Sequence, residues 1–165
     1  MATPNKAPSR QPISVTPDQS LPVFIYANGV SKGNPGKGGW ACVLYRGADF
    51  METKGAVPKI TSKRVDLLAV VKGLERLAVP EVVSVFTDSS YLQLAITSWM
   101  PAWASRGWKL SNGDDPEHVD LWKRLWAQTH RHSVAWHWGN GFGAFPGNRR
   151  AIALAHGMAM GCTVV

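Results

Sequence analysis

The sequence predicts an α/β domain in which helices flank one mixed β-sheet. Three strand-like runs follow one another early in the chain without an intervening helix, and helical and strand-like segments alternate afterwards. Consecutive strands favour antiparallel pairing and strands separated by helices favour parallel pairing, so one sheet containing both is expected. At 165 residues the chain is long enough to bury a substantial core within a single domain.

The first part of the predicted sheet consists of short apolar runs bounded by turn residues. Strand-forming residues predict three strands, at residues 23–27, 40–46 and 50–57. The pair Asn28-Gly29 follows the first run and is typical of a two-residue hairpin, because both residues tolerate positive φ. On this interpretation Asn28 only makes a turn.

The second part alternates helices with strands. Thr61 or Ser62 is placed to cap a helix that ends before Pro80, and a β-branched run at residues 82–87 predicts a buried strand. The remaining predicted elements are a helix capped by Asp88-Ser89 and running from Ser90 to about Trp99, a helix over 119–129, a strand over 134–138, a glycine-rich loop over 139–147 and a last helix capped by Asn148. This order gives five strands in all.

The ends and the cysteines constrain the domain further. Residues 1–21 predict a disordered tail, because four prolines stand among polar residues without apolar periodicity, so the folded domain is expected over 22–165. Cys42 and Cys162 lie far apart without metal-ligand spacing, which predicts buried free thiols in a reducing compartment, the cytoplasm or an organellar matrix. No apolar run approaches the length of a membrane span, so no membrane partner is expected.

The charge balance points to a nucleic-acid partner. The chain carries 18 Lys and Arg against 11 Asp and Glu, a formal net charge of +7, together with eight tryptophans. A basic domain rich in aromatic side chains is typical of proteins that bind nucleic acid.

Six motifs, in this order along the chain, resemble those of type 1 ribonuclease H. They are Gly33-Asn34-Pro35-Gly36 with Gly38-Gly39, Thr61–Leu67, Thr87–Tyr91, Trp99–Lys109, Val119–Leu125, and Trp136 and Trp138 before a glycine-rich loop and helix. The resemblance covers residues 23 to about 160. It implies the RNase H-like fold, and for active members it implies hydrolysis of the RNA strand of RNA/DNA hybrids with two Mg²⁺ ions held by four carboxylates.

The resemblance also implies that this carboxylate set is damaged. Asn28 stands at the position of the first, bridging acid, and Asp66 replaces the usual glutamate with a side chain one methylene shorter. Asp88 is intact as the third acid. Ile152 stands at the position of the fourth acid, and Phe142 stands where the family usually has a histidine.

Two surviving acids imply weak binding of Mg²⁺ or Mn²⁺, or none. Mg²⁺ requires a near-octahedral set of oxygen ligands; a neutral amide adds no negative charge to offset two divalent cations, and isoleucine offers no ligand atom. Asp88 and Asp66 also have purely structural interpretations, the first as a helix cap and the second as a carboxylate in a helix's first turn. A site rebuilt from these two acids with His137 and His156 is a further alternative.

The implied hybrid-binding surface is better preserved than the centre. Its matching residues are Asn34, Pro35 and Gly36 in the loop that approaches the RNA strand, Lys59 and Thr61 in a pocket for a DNA phosphate, Ser62, Lys63 and Arg64 at the start of a helix, and Trp99, Arg106 and Lys109 in a helical protrusion. His118 replaces an asparagine expected in the phosphate pocket. Core packing is the expected role of the other tryptophans: Trp103, Trp108, Trp122, Trp136 and Trp138.

The leading functional hypothesis is a catalytically degenerate ribonuclease H-like protein that binds RNA/DNA hybrid or double-stranded RNA. The first alternative is a weakly active, Mg²⁺- or Mn²⁺-dependent ribonuclease H that uses Asn28, Asp66 and Asp88. The second alternative is a structural or docking subunit of a nucleoprotein complex, with the proline-rich tail holding a protein partner.

Overall fold

The computed structural model describes residues 21–138 and 145–161 and contains one five-stranded sheet with helices on both faces. The strands are β1 Val23–Gly33, β2 Gly36–Arg46, β3 Asp49–Ile60, β4 Val82–Thr87 and β5 Ser133–Trp138. The helices are α1 Ser62–Glu75, α2 Ser90–Leu94, α3 Met100–Ser105, α4 Val119–Arg131 and α5 Pro146–Ala159, and a π-helical segment, Ala95–Trp99, joins α2 to α3. The strand order is β3-β2-β1-β4-β5. Antiparallel pairing joins the first three strands and parallel pairing joins β1, β4 and β5, which confirms the predicted mixed sheet.

The interpretation of Asn28-Gly29 as a hairpin turn is wrong. Both residues lie within β1, where Asn28 is opposite Ala41 and Gly29 is opposite Trp40. The chain turns only after Gly33, because pairing with the long strand β2 outweighs the local turn preference of the Asn-Gly pair.

A core lies on each face of the sheet. The larger core lies under α1 and α4 and includes Ile25, Leu44, Leu74 and the fully buried Trp122. The smaller core lies under α5 and consists of Tyr26, Ala41, Val43, Ala151, Leu154 and Ala155. The other four tryptophans expected in the core, Trp103, Trp108, Trp136 and Trp138, are partly buried against the larger one.

Two glycines allow a helix to lie directly against the sheet. A Cβ atom on Gly29 would lie 2.7 Å from the backbone of Val65 in α1. On the opposite face, a Cβ atom on Gly39 would lie 2.1 Å from the carbonyl oxygen of Ala155 in α5. Both contacts are made by backbone atoms, so no side-chain rotation could make room for a larger residue.

The predicted helix caps are partly confirmed. Thr61 accepts a hydrogen bond from the Arg64 N–H at 3.3 Å, and Ser89 accepts one from the Leu92 N–H at 3.2 Å. Asn148 is not a cap, because α5 begins at Pro146 and Asn148 lies inside its first turn. The loop predicted to reach residue 147 therefore ends earlier.

Cys42 is a buried free thiol, as predicted, and its Sγ donates a hydrogen bond to the Ala69 carbonyl at 2.9 Å. The predicted tail up to residue 20, most of the predicted glycine-rich loop and Cys162 lie outside the described residues. Within the described ranges, the helices are too short or too polar to cross a membrane.

Candidate functional site

The sheet order brings the four positions of the expected carboxylate set to one region. Strands β1 and β4 are parallel neighbours with Tyr26 opposite Phe86, so Asn28 in the middle of β1 lies beside Asp88, which directly follows β4. Asp66 reaches them from α1. Ile152 is half-buried on α5, four residues beyond Asn148 and thus on the same face of that helix. Phe142 lies outside the described residues.

Asp66 is a carboxyl group with an unusual proton affinity. Burial raises its pKa to about 7, and the nearby charge of Asp88 adds to this increase. Hydrogen bonds from the Gly29 N–H and from Ser89 act in the opposite direction. Asp66 lies in the second turn of α1, so its interpretation as a first-turn, dipole-complementing acid is wrong. In a large fraction of the molecules this carboxyl group is therefore neutral at physiological pH.

Asn28 makes a neutral contact with α5. Its Nδ2 donates a hydrogen bond to Oδ1 of Asn148 at 3.0 Å, and the Asn148 side chain is buried. This amide pair places no negative charge between β1 and α5. Sequence reasoning missed the role of Asn148, although Pro146 was an available signal, because proline favours the first position of a helix and so places residue 148 inside it.

This set of donors does not fit a pair of Mg²⁺ ions. It offers the exposed carboxylate of Asp88, the partly protonated carboxyl group of Asp66, one neutral amide and one hydrocarbon side chain. Among residues 21–138 and 145–161, no three His, Cys, Asp or Glu side chains are placed to hold a metal ion together. The alternative site with His137 and His156 is therefore not formed there, and the His137 ring instead stacks on Phe86 at 4.5 Å.

The predicted RNA-facing loop is fixed to the start of α1. Oδ1 of Asn34 accepts a hydrogen bond from the Ser62 N–H at 3.1 Å. Thr61 caps the same helix, and Nζ of Lys63 lies 5.1 Å from the centroid of the Tyr91 ring. The structure therefore brings the loop Asn34-Pro35-Gly36 together with Thr61, Ser62 and Lys63, and exposed Lys59 lies two residues before the cap.

Arg64 connects α1 to α4. Its guanidinium makes two hydrogen bonds to Asp120, of 3.0 and 2.6 Å, and the hydrogen bonding lowers the pKa of Asp120 to about 2. Nη1 of Arg64 is also 3.4 Å from Nδ1 of His118, whose pKa is lowered by burial. His118 is therefore a neutral side chain at pH 7, and Arg64 is occupied by an intramolecular contact.

The predicted protrusion presents little free positive charge. Trp99 is 39% exposed and its ring packs edge-on against Tyr91, so it is available to a ligand. Lys109, however, forms an ion pair with Asp115 at 2.5 Å. Exposed Arg106 is left as the cation of this element that has no ion pair among the described residues.

Comparisons with known proteins agree with this architecture. The model of the RNase H family matches residues 20–159. The chain is 44% identical to a protein named Ribonuclease H from Cupriavidus necator over 134 residues, which is 81% of this chain and 92% of that protein. It is 43% identical to Ribonuclease HI from Caulobacter vibrioides over 134 residues, 81% of this chain and 90% of that protein.

Solved structures with similar folds include LC9-RNase H1, described as a type 1 RNase H with the type 2 active-site motif. It superposes with a TM-score of 0.72 at 27% identity and covers 87% of this chain and 74% of its own. LC11-RNase H1, solved in complex with RNA/DNA hybrid, has a TM-score of 0.64 and covers 84% of this chain and 97% of its own. At 17% identity, the second comparison supports the fold alone.

Proposed function

The chain belongs to the RNase H family, and from this premise we propose that it is a degenerate member that binds RNA/DNA hybrid, or double-stranded RNA, without cleaving it. The observation that carries the proposal is the neutral pairing of Asn28 with Asn148, at the position of the expected bridging acid. Ile152 removes a second acid from the same region, on the same face of α5 as Asn148.

The charge of the centre supports binding without hydrolysis. Metal-assisted phosphodiester hydrolysis requires acids that hold both ions against their hydration, and two of the four acidic positions carry no acid here. Asp66 is partly protonated at neutral pH, so the remaining negative charge is small. A phosphate approaching this centre consequently meets little repulsion, and nucleic acid can bind without a metal ion to screen it.

The surface around the centre supports a duplex ligand. The loop at Asn34 is fixed to the capped start of α1, where Lys63 and exposed Lys59 add positive charge. Exposed polar groups and a partly exposed tryptophan, Trp99, suit a shallow groove that contacts sugars and phosphates. Because Arg64 and Lys109 are engaged in ion pairs, we expect moderate rather than tight affinity.

A cleavage assay combined with a binding assay tests the proposal. The wild type and Asp88→Ala are incubated with labelled RNA/DNA hybrid in Mg²⁺ and in Mn²⁺, and binding to hybrid, double-stranded RNA, double-stranded DNA and single strands is measured over a salt series. We expect no cleavage by either protein and duplex binding that weakens as salt increases. Cleavage by the wild type that Asp88→Ala abolishes would overturn the proposal.

Residual nuclease activity is the second candidate, because the curated relatives at 44% and 43% identity are named as ribonucleases H and Asp66 and Asp88 remain neighbours. Isothermal titration of Mg²⁺ into the protein with hybrid present separates the two candidates. Uptake of two ions per protein would favour the nuclease, whereas heat equal to that of dilution would favour the binder.

A further inference from the structure

The tip of the β1–β2 hairpin carries two lysines that face each other. Lys32 on β1 is directly opposite Lys37 on β2, and both side chains are exposed. Like charges at directly opposite positions of an antiparallel pair destabilise it. Within the described ranges, the ion pairs involve neither lysine, so no carboxylate offsets this repulsion.

The position of the hairpin tip is fixed. A Cβ atom on Gly36 would lie 2.1 Å from the carbonyl oxygen of Lys32, so only glycine permits this close turn. The hydrogen bond between Asn34 and the Ser62 N–H ties the tip to the start of α1. The backbone positions of both lysines are therefore fixed, and their flexible side chains extend from one defined point of the surface.

The lysine pair lies on the face of the sheet where Asn28 contacts α5. Alternate residues of a strand point to the same face, and Asn28 points toward α5, where it contacts Asn148. Lys32 is four residues further along β1 and thus shares that face, at a distance of about 13 Å along the strand. Lys37, opposite Lys32, shares it too.

We propose that Lys32 and Lys37 form a phosphate clamp, two adjacent cations that contact the backbone of one strand of a bound RNA/DNA hybrid as it leaves the centre. This inference rests on the proposed function. The clamp supplies positive charge that the protrusion lacks, since Lys109 is neutralised by Asp115. The ligand it recognises is the phosphodiester backbone, so it contributes affinity without base preference.

The salt dependence of hybrid binding measures the clamp. Each phosphate contact contributes about 0.9 to the slope of log affinity against log salt, so Lys32→Ala/Lys37→Ala is expected to reduce that slope by about 1.8. Between 50 and 200 mM salt, the wild type then loses about 12-fold more affinity than the variant. Lys32→Arg/Lys37→Arg is expected to retain the wild-type slope.

The matched control is Arg76→Ala/Lys123→Ala, which removes two exposed cations at the end of α1 and on α4. The clamp is refuted if both double alanine variants change the slope equally, or if neither changes it. Lys37 also lines a cavity of about 230 Å³ with Met158 and Gly161 at the end of α5, so its role could be structural. The clamp is therefore also refuted if Lys32→Ala/Lys37→Ala lowers Tm but keeps the wild-type salt slope. If the wild type does not bind hybrid at all, the proposed function is wrong. If the wild type binds but the salt slopes of the variants do not differ as expected, only the clamp is wrong.

Discussion

Replacing Asp66 by asparagine is expected to stabilise the protein at neutral and alkaline pH. The side chain is half-buried beside Asp88, and its loss of hydration together with the charge of Asp88 raises its pKa from 3.8 to about 7. Asparagine has nearly the same shape and stays neutral at every pH, so it mimics the protonated carboxyl group. In a metal-dependent nuclease the same change would remove a ligand, but here it removes a partly desolvated negative charge.

The magnitude follows from the difference between the two pKa values. The folded state holds the proton of Asp66 more tightly than the unfolded state does. The contribution of Asp66 to the free energy of unfolding therefore falls as pH rises from about 4 to about 7 and is constant above that range. Each unit of pKa difference corresponds to about 1.4 kcal/mol, so the ionised Asp66 side chain destabilises the folded protein by at most about 4 kcal/mol. Weaker hydrogen bonds from Gly29 and Ser89 to an amide oxygen offset about 1 kcal/mol of this gain.

Urea unfolding of the wild type and Asp66→Asn at intervals from pH 4.5 to pH 8 measures the effect. The difference in the free energy of unfolding should increase across this range and reach about 3 kcal/mol near pH 8. Subtracting the two curves removes the contributions of the histidines and of the acids that do not interact with Asp66. Asp49→Asn, at the exposed start of β3, is the matched control and should change the free energy of unfolding much less than Asp66→Asn does.

A difference that is flat with pH, or an Asp66→Asn protein less stable than wild type at pH 8, would contradict the reasoning. Either result would mean that Asp66 is ionised in the folded protein at neutral pH. The centre would then hold more negative charge than we infer, and metal binding would have to be reconsidered.

Three further predictions concern other parts of the molecule. Restoring the acids with Asn28→Asp/Ile152→Asp should create Mg²⁺-dependent cleavage of RNA/DNA hybrid, measured against the wild type in the same gel assay; no gain at any Mg²⁺ concentration would show that other changes also disable the centre. Gly29→Ala should reduce the free energy of unfolding by about 1–3 kcal/mol, because the new Cβ atom would lie 2.7 Å from the backbone of α1; a change below 0.5 kcal/mol in urea unfolding would contradict that close approach. Glu81→Ala should reduce it by about 3–5 kcal/mol, since it leaves the buried guanidinium of Arg46 without its carboxylate; a thermal melt unchanged from wild type would refute the buried ion pair.

Much of the sheet and helix order could be predicted from local patterns. Strand β4 matches its predicted range because a β-branched run is bounded by Pro80 and Asp88. Thr61 and Ser89 were predictable as caps because their hydroxyl groups satisfy N–H groups of their own helix. The Asn28-Gly29 pair predicted a turn too early, because pairing along the whole length of β2, rather than the local preference of these two residues, decides where the hairpin turns.

The centre was less predictable than the fold. The residues at its expected positions could be read from the motifs, but their contacts could not. The hydrogen bond between Asn28 and Asn148 joins residues 120 positions apart, and the raised pKa of Asp66 depends on burial and on Asp88. The π-helical segment Ala95–Trp99 was also missed, since a single wide helical turn leaves no periodic pattern.

The glycine contacts on the two faces of the sheet have a consequence for how this architecture tolerates change. At Gly29 and Gly39, main-chain atoms of the sheet contact main-chain atoms of a helix directly, and these contacts involve no metal ion. Chelators should therefore leave thermal unfolding unaltered, unlike that of domains whose folding depends on a bound ion. The side chains of the centre can therefore be exchanged during evolution, or by design, without moving the backbone that carries them.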